Sequence, residues 1–186
     1  MGRFTLSSTP LHGLVAIERQ PLRDTRGFLA RLFCAEELAS AGWHWPIAQI
    51  NHTHTAQRGM VRGLHYQCPP AAEAKLVTCL HGAVWDVVVD VRANSPTFLQ
   101  WHAQELSASN HAAFLIPPGC AHGFQALEDG AELLYLHSAP YTLTCEAALN
   151  VRDPRLDIAW PLPIADLSPR DAAHPMLDAS FSGVCL

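Results

Sequence analysis

The chain has 186 residues, of which 49% are hydrophobic and 16% charged, which excludes a disordered protein and fits one globular domain, residues 1–186. A formal net charge of −5 argues against a general nucleic-acid binder, though not against local basic pockets for a phosphate. No apolar run approaches the roughly 20 residues that span a bilayer, and the start MGRFTLSSTP lacks the pattern of a signal peptide, so a cytoplasmic location off the membrane is expected.

Residues 11–20 alternate loosely as a strand and lead into a turn at Asp24-Thr25-Arg26-Gly27. The short apolar run 28–34 precedes the best helix candidate, 35–42, with Gly42 as its stop. Residues 47–55 alternate strictly, which places Gln49, Asn51, Thr53 and Thr55 on one face and Ile50, His52 and His54 on the other. A row of amides and hydroxyls suits a lined cavity, and the two histidines fit a solvated or interface face.

Strand signals then come at short intervals: MVRGLHY, the Pro69-Pro70 turn, AKLVTCL, a turn at His81-Gly82, and the Val-rich run 83–92. After a turn at Asn94-Ser95-Pro96, residues 97–106 read as strand, 107–110 as loop and 111–117 as strand. Pro117-Pro118-Gly119 turns the chain, 122–128 and 131–141 are strands, and Asp129-Gly130 joins them. The tail after Ala147 is Pro-punctuated and mostly loop, with room for one short helix. Many short strands at near-regular spacing predict an all-β sandwich or closed barrel. The six cysteines contain no C-x-x-C pair, and reduced, mostly buried thiols are expected.

Chemistry concentrates between Gly59 and Val77. Strict alternation in MVRGLHYQ puts Arg62, Leu64 and Tyr66 on one face and Gly63 and His65 on the other, unless a bulge intervenes. Lys75 follows just past the turn, and a buried Lys needs a partner or a task. Tyr135 and His122 lie on later strands that can line the same cavity. A neutral His, a Lys and a Tyr suit proton abstraction beside a carbonyl, with the phenol returning a proton to the opposite face. That is epimerisation, and it needs neither a metal nor a redox cofactor. Asp86 and Asp90 read as solvated or paired with Arg92.

The segments D-T-R-G (24–27), Q-I-N-H-T (49–53), R-G-L-H-Y-Q-C-P-P (62–70), K-L-V (75–77), the run 82–92, S-P-T-F (95–98), I-P-P-G-C-A-H-G-F (116–124), Y-L-H-S-A-P-Y (135–141), I-A-W-P (158–161) and L-S-P-R-D (167–171) occur in one order. In that order and spacing the chain resembles the dTDP-4-dehydrorhamnose 3,5-epimerase family over most of its length. The resemblance implies a cupin-type jelly-roll β-barrel with short peripheral helices. It implies His65 as general base, Asp171 as its orienting carboxylate, Tyr135 as the acid on the opposite face and Lys75 on the enolate oxygen. Arg62 and Arg26 would hold the diphosphate, Gln49 and Asn51 would contact substrate, His122 would line the sugar pocket, and Tyr141 would stack near the nucleotide.

The implied partners are a nucleotide-sugar substrate and a second copy of the chain. N-terminal residues would reach across that dimer, which would bring Arg26 to a site. Departures from the family pattern are Arg31 in place of an acidic residue, Leu29 in place of an aromatic, and the lack of a Pro after Tyr141. They touch the nucleotide end or the dimer seam. Three other readings remain: a mono-epimerase on a dTDP-, CDP- or GDP-4-keto sugar, a metal-dependent cupin, and a binding module on the same barrel. Metal cupins open their ligand set with H-x-H. Here the triplet is His65-Tyr66-Gln67, so Glu73 and His122 would complete only a partial set, and no metal is expected.

Overall fold

β-Branched runs punctuated by Gly and Pro turns become strands, and every ladder between them is antiparallel. A computed structural model describes residues 2–186. It begins with β1 (Phe4–Ser8), β2 (Val15–Arg19), the short hairpin β3 (Leu22–Asp24) and β4 (Gly27–Leu29), and helix α1 (Ala35–Ala39). The central strands are β5 (Gln49–Thr55), β6 (Val61–Gln67), β7 (Lys75–His81) and β8 (Ala83–Asp90). They are followed by β9 (Trp101–Ser107), β10 (Ala112–Ile116), β11 (Cys120–Ala126), β12 (Ala131–His137), β13 (Glu146–Ala148) and helix α2 (Pro169–Ala172).

Two sheets face each other as a jelly roll. One has six strands in the order β1-β2-β10-β7-β12-β5, the other five in the order β13-β6-β11-β8-β9. No ladder joins the two among the described residues, so the expected barrel is a pair of facing sheets and is not closed by hydrogen bonds. Between them lie Leu14, Val77, Val88, Phe114, Phe124 and Leu133, all almost fully buried.

Both outer faces are covered in part as well, although the outward residues Ile50 and His52 of β5 stay exposed. Helix α1 and Trp43 pack over Ile17, Leu76, Leu115 and Leu136 of the six-stranded sheet. The tail lays Leu149, Val151, Leu156, Trp160 and Leu167 over Leu64, Val87 and Val89 of the five-stranded sheet. Burial on both faces explains why β8 reads as an unbroken Val run and not as an alternation. The tail is irregular but tied down: Val61 N–H donates to the Asp166 carbonyl, Ala165 N–H to that of Gly59, and Leu162 N–H to the Gln125 side chain.

Some local expectations need correction, and some strands were not expected. Thr97–Leu99 is a turn and the strand starts at Trp101, because the Thr97 hydroxyl caps Asp90 at 2.6 Å and holds the chain in a turn. β1 and β13, which carry no strong apolar pattern, form as edge strands through their pairing with β2 and β6. Asp86 is fully buried against His122 and is neither solvated nor paired with Arg92, whereas Asp90 does pair with Arg92 at 2.7 Å. The thiols are free; Cys79 and Cys120 are buried and Cys185 is exposed.

Candidate active site

The cavity forms where β6 breaks its own alternation. His65 lies opposite His122 of β11, but Arg62 lies opposite Phe124, so β6 spends three residue steps where β11 spends two. This bulge sits at Gly63, at φ +133°, whose absent Cβ would lie 2.5 Å from Gly123 Cα. Only two glycines let the strands approach this closely. The strict alternation expected for 61–67 therefore fails. Val61, Leu64 and Tyr66 join the outer cluster, while Arg62 and His65 both face inward onto a cavity of about 860 Å³. That size suits a small-molecule ligand.

On the β6 wall, His65 Nε2 is 2.9 Å from Asp171 Oδ1. Asp171 is delivered by α2, whose first turn is capped by the Ser168 hydroxyl accepting from Asp171 N–H at 3.0 Å. Burial alone would raise the Asp171 carboxyl, but the hydrogen bond and charge of His65, with Gly63 N–H, hold it below the usual carboxylate value. When Nε2–H donates its hydrogen bond to that carboxylate, Nδ1 keeps the lone pair and can serve as the base. Arg170, half-exposed, stands 3.3 Å from the same Nε2 and pairs with Glu146 at 3.0 Å.

Across the cavity stand Lys75 on β7 and Tyr135 on β12. Lys75 donates to the His65 carbonyl at 3.1 Å and pairs with Glu73 at 3.3 Å. Glu73 in turn accepts from His137 Nδ1 at 2.9 Å, and His137 Nε2 meets Asn51 at 3.3 Å. Burial opposes ionisation of Glu73, yet His137 and Lys75 keep its carboxyl below the ordinary value. His137 also stacks on Tyr135, with ring centroids 6.0 Å apart at 19°. Tyr135 is buried, which pushes its phenol above the ordinary range and keeps it protonated. His122 meets the Tyr135 ring edge-on and bonds Asp86 at 2.9 Å. Burial raises the Asp86 carboxyl, against the pull of that histidine.

Of the residues expected at the site, His65, Asp171, Lys75, Tyr135, Asn51, Arg62, His122 and Tyr141 all line this one cavity. Gln49 stands just outside the wall, holding Asn51 at 3.1 Å and Tyr141 N–H at 2.9 Å. Arg62 is held by Thr55 and the His54 carbonyl, each at 3.1 Å, and Tyr141 sits half-exposed at the mouth. Arg26 is not here: it lies on the β3–β4 hairpin, exposed and paired with Asp24. Glu73, expected at most as a metal ligand, is instead the partner of Lys75 and His137; His137, inside the 135–141 segment, carried no expected role. Its one local signal was an ionisable residue at an inward position of an apolar strand.

A jelly roll whose cavity sets a His–Asp pair and a buried Lys opposite a protonated phenol fits the class of enzyme that moves protons at carbon beside a carbonyl. The comparisons narrow that class. Residues 8–179 match the family described as dTDP-4-dehydrorhamnose 3,5-epimerase, and the chain belongs to it. The Sinorhizobium fredii enzyme of that name is 39% identical over 83% of this chain and 80% of its own. A Streptomyces niveus relative named dTDP-4-dehydrorhamnose 3-epimerase is 38% identical over 87% of this chain and 78% of its own. The crystal structure of a Legionella pneumophila dTDP-6-deoxy-D-glucose-3,5-epimerase in complex with dTDP-4-keto-L-rhamnose superposes with a TM-score of 0.90, at 37% identity over 97% of this chain and 98% of that one.

Proposed function

We propose that this chain inverts C3 and C5 of dTDP-4-dehydro-6-deoxy-D-glucose, giving dTDP-4-dehydro-L-rhamnose. The observation that carries the reading is the opposition of base and acid: His65 stands on one sheet and Tyr135 on the other, across one cavity. The C4 ketone acidifies the neighbouring C–H bonds. His65 takes a proton from one face, with Asp171 orienting the ring and balancing the charge that forms. Lys75 stabilises the enolate oxygen, and the Tyr135 phenol gives a proton to the other face. Water then takes the proton from His65 and restores the one on Tyr135. Arg62 holds the diphosphate, Asn51, Gln49 and His122 position the sugar, and Tyr141 stacks near the base at the mouth.

Residues 1–186 are read as a single catalytic domain with a loop-rich C-terminal tail, working in the cytoplasm as a homodimer. The β3–β4 hairpin supports the dimer, since it exposes Leu22, Phe28 and Leu29 beside Arg26. In that dimer Arg26 serves the partner's diphosphate site.

The test is solvent exchange. The protein is incubated with dTDP-4-dehydro-6-deoxy-D-glucose in deuterated water and the C3 and C5 protons are followed by NMR. Exchange and inversion at both carbons are expected. Exchange at C3 alone would replace this reading with a mono-epimerase like the Streptomyces niveus relative, and no exchange at either carbon would reject proton abstraction.

A further inference from the structure

We propose that His65, Asp171 and His174 form a binding site for a divalent transition metal such as Zn²⁺, and that a metal held there stops the reaction. The second half rests on the function proposed above; the first does not.

Three donor atoms converge behind the base. His65, Asp171 and His174 each offer one donor atom, and the three atoms lie within 4.8 Å of one another. The carboxylate oxygen is 2.9 Å from the His65 nitrogen and 4.0 Å from that of His174. Zinc binds imidazole nitrogen and carboxylate oxygen at about 2.0–2.2 Å, which sets donors roughly 3.3 Å apart in a tetrahedron. Small side-chain rotations close the difference. Two imidazoles and one carboxylate suit Zn²⁺, Co²⁺ and Ni²⁺ far better than Mg²⁺ or Ca²⁺.

His174 supplies the independent observation. Its Nε2 is enclosed by protein yet has no hydrogen-bond partner, while its carbonyl is tied to Asn150 at 2.6 Å. A buried ring nitrogen normally finds a partner. This one points at the His65–Asp171 pair, with the two imidazoles edge-to-face at 6.2 Å and 73°. Arg170 opposes a cation here, with Nη2 3.3 Å from His65 Nε2 and Nε 3.6 Å from Asp171. Its side chain is 55% exposed and already pairs with Glu146, so it can turn outward. The donor set differs from the cupin pattern, since Glu73 is taken by Lys75 and His137, and His122 by Asp86.

Inhibition follows from the tautomer. A metal takes the lone pair of His65 Nε2, so the ring proton must sit on Nδ1. The nitrogen that removes the substrate proton then has no lone pair to offer. No electrons are transferred, and the metal leaves again when chelated.

The experiment uses chelator-stripped full-length protein without substrate. Co²⁺ is titrated and its visible d–d absorption recorded, and Zn²⁺ binding is measured by calorimetry, for the wild type, His174→Ala and His174→Gln. The wild type is expected to bind one equivalent with a tetrahedral cobalt spectrum, and both variants to bind at least about tenfold more weakly. In parallel, Zn²⁺ should inhibit wild-type turnover and EDTA restore it, while the metal-free variants still turn over and need correspondingly more Zn²⁺. Undiminished Co²⁺ binding by both variants, or no cobalt spectrum in the wild type, would overturn the site. Metal binding that depends on His174 but leaves turnover untouched would overturn the inhibition alone. A protein that binds metal this way yet never exchanges a sugar proton would keep the site and reject the proposed function.

Discussion

Tyr135 lies between two histidines, stacked on His137 and edge-on to His122, and its burial keeps the phenol protonated at neutral pH. If His65 works from the opposite wall, then Tyr135→Phe separates the two halves of the reaction. Deuterium should still wash in at C3, because His65 can remove a proton and return a deuteron to the same face, while inversion falls by about 10²-fold or more. NMR of the recovered sugar distinguishes the two, and inversion at the wild-type rate would remove Tyr135 from the mechanism. His65, Lys75 and Tyr135 were legible in the sequence as candidate site residues because the resemblance assigns each a role, and all three line the cavity. Glu73 and His137 were not, because their meeting depends on long-range register. β12 pairs with β7 so that His137 lies opposite Lys75, and no local pattern announces that. Asp86 gave more warning. A carboxylate in a strand buried on both faces must be paired, and reading the Val run as two-sided would have required a partner such as His122.

At the scale of elements, the β6 bulge governs which side chains enter the cavity. Gly63→Ala places a Cβ against Gly123 and forces an alanine into a left-handed backbone region. A loss of about 1–3 kcal/mol is expected in chemical denaturation, with a larger proportional loss of turnover because His65 and Arg62 shift together. Unchanged stability and turnover would mean that the bulge is not needed. An isolated Gly inside a strand pattern is the usual sign of a bulge, so the failure of strict alternation was signalled, though its direction was not. The turn after β8 gives a second test. Asp90 is buried, which would raise its pKa, but Arg92, Ser95 and Thr97 hold it down to about 2 from an ordinary 3.8. A depressed carboxylate stabilises fully above its unfolded value and loses that contribution as pH falls through the folded one, so the window is roughly pH 4 to 2. This shift corresponds to on the order of 2 kcal/mol. Asp90→Asn should therefore be less stable than wild type at pH 7, with the gap narrowing as denaturation curves are taken down to pH 2.

For the whole molecule, the β3–β4 hairpin projects Phe28 and Leu29 at 59% and 71% exposure. Phe28→Asp is expected to shift sedimentation from a dimer to a monomer and to raise KM more than it lowers kcat, because Arg26 would no longer reach the partner's diphosphate. A wild-type monomer with full turnover would reject both the dimer and the shared site. Strand count and turn spacing narrowed the architecture to a sandwich or a closed barrel, and the family resemblance pointed to the jelly roll. The covering of the outer faces was not legible, because the tail's hydrophobic residues are spread among prolines without any period.

That covering segment carries Asp171. The stretch that seals the outer face of the five-stranded sheet from water is the same stretch that presents the carboxylate to His65. If His65 is the base, closing the fold and arming it are one event, like a latch that completes a circuit. A molecule whose tail has lifted would keep His65 and Tyr135 on their strands but lose one wall of the cavity together with Asp171.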